Sequence, residues 1–430
     1  MGEVYCASQG DIQKWTQWVN GKPDRFLIWV GEAGTSHPRI YEAQDNELKL
    51  QQIASELVYL PFVYDNPSHP ILQKLARIQT EIHYRSSDFM DQGKKLLNNF
   101  RSNLQKPFAL ASELYGQFNQ YSAIVCGAGP SLEAMIPFLK ENRDRFLIVG
   151  CGAGMQALLA AGITPHLAVH VDPDPYHKFP KTNIPLFYQL RTSLEVVDGM
   201  TGPRFLMAGS GEFPLERYLE ENLGETHQRD GGWTAVTRGA VLCQDLGCSR
   251  IYFAGVDFSA VSGSIYAKGV ASNTTEIRSD WLLAAEWLNT WVETHPEIRC
   301  GICLKPNPLM PAIPVLELIG GETISPIVPR KEVSGKQIWD AIAENFTVCH
   351  TLIDQFMSHF QTIFPRSPLQ DLECVDILSK IDEQLVVQKI LDPIWSHWEV
   401  VLKREPNTGP EALAIHRVLL LKTLADEYHV

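Results

Sequence analysis

Two periods of apolar residue govern this chain, and the points where one gives way to the other mark its elements. Apolar runs of about four residues, the length of buried strands, occur at 123–126, 146–149, 167–171, 185–188, 204–207 and 251–254. Four of these runs stop at Gly127, Gly150, Asp172 and Gly255. Between 121 and 173 the order is strand, Gly-rich turn, helix, strand, Gly-rich turn, helix, strand. Further on, Gly231 and Gly232 lead into a helix with Ala235, Ala240, Val241 and Leu242 on its apolar side, and Gly247 is placed to end it. A Trp-rich helical stretch (Trp281, Leu288, Trp291) precedes a last expected strand at 299–304.

The flanks differ. Residues 26–30 read as a strand ended by Gly31, and 57–60 as a second strand stopped by Pro61. Leu72, Leu75, Ile78 and Ile82 recur at helical spacing and predict one long helix over 71–100. After 331 no strand pattern is present, whereas Ile338, Ile342 and Phe346, and later Ile377, Ile381, Leu385 and Ile390, repeat with a helical period. The pattern predicts an α/β protein in three parts. A small α/β N-terminal domain spans 1–105. A central Rossmann-like domain, with a doubly wound and mostly parallel sheet, spans 106–330. An α-helical C-terminal domain spans 331–430.

Composition narrows the function classes. Hydrophobic residues at 45% and charged residues at 20% are those of a globular chain. A net charge of −13 and a pI of about 5.5 disfavour nucleic acid as partner, since phosphate contacts need a basic surface. The first ten residues, MGEVYCASQG, lack the basic and apolar regions of a signal peptide, and no apolar run is long enough for a membrane span. Nine scattered cysteines fit a reduced, cytoplasmic protein. Cys300 and Cys303 form one CxxC on an expected strand, where residues three apart face opposite sides, so they read as packing residues.

Candidate chemistry lies at the ends of the strands, where α/β sheets bind ligands. Gly127, Ala128, Gly129, Pro130 and Ser131 open a helix, as do Gly150 and Gly152. Such turns bring backbone amides and the helix dipole to a phosphate. Asp172 closes the third strand, placed to orient a nucleotide or to hold Mg²⁺. Asp257 stands past the strand at 251–254, either as a base or metal ligand, or as a helix cap. Gly231, Gly232 and Thr234 are a second candidate anion seat, and Tyr266, Lys268 and Arg278 follow Asp257 in a loop. The dinucleotide pattern fails at Leu132 and Met155, and no Gly-Lys-Ser/Thr follows either turn, which argues against an NAD oxidoreductase and a P-loop NTPase.

The segments CGAGPSL, AGITPHLAVHVDP and GGWTAVTRGAVLCQDLGCSRIYFAGVDFS, with Tyr266 beyond, resemble one broad family. It comprises the archaeal 6-hydroxymethylpterin diphosphokinase-like proteins and the bacterial motility accessory factors, which attach nonulosonic acids to flagellin. The first and last segments are also similar to bacterial CMP-sialic-acid sialyltransferases. The resemblance covers about 120–310 and implies a nucleotide seat at 127–131, further contacts from Asp172 and the 231–234 turn, and a phosphate-binding Tyr266. It departs where the sialyltransferases place a basic histidine, since none lies between Lys268 and Trp281, and where Ser259 replaces a tyrosine. The expected function is a nucleotide-dependent transferase. In its glycosyl form a CMP-activated nonulosonic acid is the donor, a protein or glycan hydroxyl the acceptor, Asp172 orients the nucleotide and Asp257 is the base. The alternatives are ATP- and Mg-dependent diphosphate transfer with Asp172 and Asp257 as metal ligands, and a binding or scaffold protein that retains the fold without catalysis.

Overall fold

In this computed structural model the described residues are 2–31, 36–66, 68–90, 93–174, 181–210, 213–261, 263–271, 279–405 and 408–428. The chain divides into two compact units, Met1–Gly93 with Ile394–Arg417, and Lys94–Pro393 with Val418–Val430. The helices after 331, expected as a domain of their own, are therefore shared between the two.

The first unit holds a four-stranded sheet in the order β3-β2-β1-β4, from Glu3–Ala7 (β1), Arg25–Trp29 (β2), Ile40–Glu42 (β3) and Phe62–Tyr64 (β4). Every pairing in it is parallel. The strand expected at 57–60 is not one. The helix Glu47–Glu56 ends there, the Leu57 amide still donates to the Ile53 carbonyl at 3.1 Å, and Tyr59 turns the chain with φ of 70°. Leu57 and Val58 are apolar because they are buried at that turn, not because the backbone is extended. Arg404 donates to the Val58 and Glu56 carbonyls at 2.8 and 2.7 Å and so fixes the same turn. Within the helix expected over 71–100, Pro70–Met90 and Gly93–Leu104 are helical, and residues 91 and 92 between them lie outside the described residues.

The second unit is built on an eight-stranded sheet. Its strands are Ala109–Leu110 (β5), Ser122–Cys126 (β6), Leu147–Cys151 (β7), Leu167–His170 (β8), Leu186–Tyr188 (β9), Arg204–Leu206 (β10), Arg250–Ala254 (β11) and Arg299–Ile302 (β12). The order is β12-β11-β6-β7-β8-β9-β10-β5 and all neighbours are parallel. Both faces are covered, as parallel sheets require. Ala123, Val125, Leu147 and Val149 join one core with Phe253 and the helices Ala235–Leu246 and Ser279–Thr294. Ile124, Cys126, Ile148 and Tyr252 join the other with the helices Leu132–Glu141 and Ala153–Ala160. Each fully buried Val, Leu, Ile and Phe side chain among these stabilises by roughly 1.5–3 kcal/mol. Cys300 belongs to the first core and Cys303 to the second, so the CxxC does straddle the sheet, and burial pushes both thiols up to about 12. All nine cysteines are free and buried.

From β6 the chain steps outward to β10 on one side, then returns to place β11 on the other side of β6. The sheet therefore has its point of reversal between the ends of β6 and β11, the place where doubly wound sheets hold ligands. Among the described residues no helix is long and apolar enough to cross a membrane.

Candidate functional site

A cavity of about 730 Å³ opens at that reversal. It is lined by Gly127, Ala128 and Gly129 after β6, Gly152 after β7, Asp172 after β8, and Asp257 after β11. Thr234 and Tyr266 line it from the loops. Eight of the sequence-predicted residues thus share one wall. Pro130, Ser131, Gly150, Gly231 and Gly232 are not on the lining.

The strand ends meet closely. The Gly127 amide donates to the Ala254 carbonyl at 2.9 Å and the Gly129 amide to the Gly255 carbonyl at 2.7 Å. A Cβ on Gly127 would lie 2.5 Å from the Gly255 oxygen, and one on Gly129 would lie 2.3 Å from Asp257 Oδ2. These glycines are therefore required by backbone packing before any ligand is considered. Asp257 sits on the same turn: its Oδ2 accepts from the Ser131 amide at 2.9 Å. The first-turn amide expected to meet a phosphate is thus occupied by a carboxylate of the chain itself. Asp257 is held in turn by Asn307, whose Nδ2 donates to the Val256 and Asp257 carbonyls at 3.1 and 3.0 Å. The next residue, Phe258, has a φ of 51°, a left-handed conformation that a bulky residue keeps only where its surroundings enforce it.

Two other helix starts face the cavity without such an occupant. Ala153–Ala160 follows Gly152, whose φ is 49°, and has no side-chain cap. Ala235–Leu246 is capped reciprocally: Thr234 Oγ1 accepts from the Thr237 amide at 3.3 Å and Thr237 Oγ1 from the Thr234 amide at 3.0 Å. The amides of Ala235 and Val236, in its first turn, have no acceptor within the helix, and both residues line the cavity with Ala153. Gly231 and Gly232 shape the approach to this helix. A Cβ on Gly231 would lie 2.6 Å from Arg238 Cδ, and the Gly232 amide donates to Asp230 Oδ1 at 2.9 Å. They are turn residues beside the cavity and do not line it.

The remaining wall is aromatic and acidic. Trp233, Phe258 and Trp281 line it, and Tyr266 meets Trp281 edge-on with ring centres 5.7 Å apart. The Tyr266 loop is tied to the first turn by the Ala267 amide, which donates to the Ala128 carbonyl at 2.8 Å. Asp280, buried in the first turn of Ser279–Thr294, lines the cavity and was missed in the sequence because that helix reads there as a Trp-rich packing face. Lys268 points elsewhere: its Nζ is 3.6 Å from Glu133 Oε2 and the side chain is 91% exposed. Arg278 lies outside the described residues. The described lining therefore carries three carboxylates, Asp172, Asp257 and Asp280, and neither lysine nor arginine.

Residues 94–263 match the family model described as 6-hydroxymethylpterin diphosphokinase MptE-like. An uncharacterised protein of Treponema pallidum (strain Nichols) is 30% identical over 105 residues, which is 24% of this chain and 50% of that protein. The chain thus matches half the length of that relative. Among solved structures, the MAf glycosyltransferase from Magnetospirillum magneticum AMB-1 is similar at 13% identity over 99% of this chain and 79% of that one, with a TM-score of 0.48. The sialyltransferase CstII from Campylobacter jejuni, in complex with CMP-3FNeuAc, is similar at 12% identity over 49% of this chain and 92% of that one, with a TM-score of 0.22. At these TM-scores neither likeness carries chemistry to this chain. Over residues 94–263, which contain every predicted site residue but Tyr266, the chain is similar to the 6-hydroxymethylpterin diphosphokinase MptE-like family, as its strand-end motifs imply.

Proposed function

We propose that this chain is a nucleotide-dependent transferase whose donor nucleotide lies in the cavity between the ends of β6 and β11. The observation that carries the reading is the convergence there of two helix N-termini, an aromatic wall and three carboxylates. The phosphate rests on the amides that open Ala153–Ala160 and Ala235–Leu246. The aromatic side chains flank the base, and Asp172 orients the nucleotide.

The lining charge bears on the donor. Three carboxylates with no lysine or arginine among the described lining residues repel a triphosphate more than a single phosphodiester. This favours a CMP-linked nonulosonic acid. In that reaction the bond from the anomeric carbon to the phosphate oxygen breaks, CMP leaves with the electron pair, and a protein or glycan hydroxyl bonds to the carbon. The hydroxyl proton goes to a carboxylate, and Asp257, held by the Ser131 amide, is the base in this reading.

The same carboxylates favour a second reading, diphosphate transfer from ATP to a hydroxymethylpterin, with Mg²⁺ on Asp172 and Asp257. Among the described residues these acids do not form a preformed cluster of three ligands. Mg²⁺ would therefore be completed by substrate phosphates, which its chemistry allows. A thermal-shift panel of CMP, CDP, ATP and GTP, each with Mg²⁺ or with EDTA, separates the two. The glycosyl reading expects CMP to raise the midpoint in EDTA, by the equivalent of about 2.7 kcal/mol at a hundred times its Kd. A shift confined to ATP with Mg²⁺ would replace it with the second reading.

A further inference from the structure

The long helix Lys336–Ile363 packs against the helix Leu372–Asp382 that follows it. Where they meet, three donor atoms of different kinds converge. A ring nitrogen of His359, a carboxylate oxygen of Asp371 and Cys374 Sγ all lie within 4.8 Å of one another.

Each is placed by its element. Asp371 caps the second helix, its Oδ1 accepting from the Glu373 and Cys374 amides at 3.1 and 3.0 Å. Cys374 is the third residue of that helix, so its side chain stands over the cap. His359 lies in the last turns of the first helix, with Nε2 2.9 Å from Asp371 Oδ1. On the other side of the ring, His359 Nδ1 is 3.3 Å from Glu373 Oε2. A carboxylate on the far nitrogen fixes the tautomer and orientation of a metal-binding imidazole. The His359 and Asp371 side chains are 22% and 27% exposed, so an ion has access, whereas Cys374 is buried.

We propose that His359, Asp371 and Cys374 bind a zinc-class divalent cation, with Glu373 as the outer partner of His359, so that the ion clamps the two helices together. Nitrogen, oxygen and sulfur donors together suit zinc and not magnesium or calcium, which take oxygen ligands. Nε2 offers its lone pair and Sγ binds as thiolate, so the Cys374 thiol proton is released, while the Nδ1 proton stays on its bond to Glu373. Affinity therefore rises with pH. The site is separate from the nucleotide cavity and does not depend on the reading of that cavity.

Titration of the full chain with Co²⁺ tests it. One equivalent is expected to produce a near-ultraviolet sulfur-to-cobalt charge-transfer band, which Zn²⁺ then removes. Cys374→Ser is expected to abolish the band. Glu373→Gln, at an exposed position, is expected to weaken Co²⁺ binding about tenfold or more, with an unchanged far-ultraviolet circular dichroism spectrum. No band in the unaltered chain, or a full band in Cys374→Ser, overturns the proposal. Where Cys374→Ser does not fold, Glu373→Gln decides, and unaltered Co²⁺ affinity in that variant overturns it.

Discussion

Gly129 and Asp257 depend on one another. The carboxylate occupies the space that a Cβ on Gly129 would need, 2.3 Å from Oδ2, and the Gly255 oxygen stands 2.8 Å from the same point. Gly129→Ala should therefore destabilise by about 1–3 kcal/mol through overpacking, measured by chemical denaturation. Combining it with Asp257→Ala should recover part of that loss, because the two sites share one contact. In turnover, Asp257→Asn should cost about 10²- to 10⁴-fold if it is the base; unchanged turnover would transfer that role to Asp172 or Asp280. Away from the cavity, His166 Nδ1 accepts from the Ile148 amide at 3.1 Å, and burial lowers its pKa from 6.5 to about 4. The folded state thus disfavours the charged imidazole. Its contribution is full above pH 6.5 and is lost as pH falls towards 4. His166→Gln should flatten that part of the stability profile in melts run across the same range. At this scale the sequence revealed residue types at strand ends but not their partners. Asp257 read equally as base or cap, and only the 2.9 Å bond to the Ser131 amide shows the cap.

Helix starts decide where an anion can rest, and they are not equivalent. Leu132–Glu141 begins against the Asp257 carboxylate, Ala153–Ala160 has no side-chain cap, and the Thr234–Thr237 pair caps Ala235–Leu246 while leaving its Ala235 and Val236 amides without an acceptor in the helix. Thr234→Ala should cost about 1 kcal/mol of stability through loss of the cap, read as a lower denaturation midpoint with the fold retained. Strands β2 and β6 to β12 and the Gly247 stop were legible because buried parallel strands and helix-ending glycines leave local marks, and Gly247 has the expected left-handed φ of 89°, whereas β1, β3, β4 and β5 were not read from the sequence. The run at 57–60 misled because an apolar helix end and an apolar strand look alike over four residues.

For the whole molecule, the alternating strand and helix pattern was enough to specify a doubly wound parallel sheet, but not its strand order. The step from β10 back to β11 beside β6 creates the reversal and the cavity, and no local pattern encodes it. The same holds for the division of the C-terminal helices between two units, which depends on long-range packing. Asp280, Trp233 and Trp281 reach the cavity through that packing, so their roles could not be read from periodicity. In the proposed complex a nucleotide phosphate rests between the starts of Ala153–Ala160 and Ala235–Leu246. Calorimetric titration of CMP into the unaltered chain and into Ala153→Asp tests it most directly, since a carboxylate in the first turn of a helix preserves or aids folding while contesting the phosphate seat. CMP is expected to bind the unaltered chain and to bind the variant at least tenfold more weakly, with no loss of thermal stability. Equal CMP affinity in the two proteins, or none in either, would contradict it.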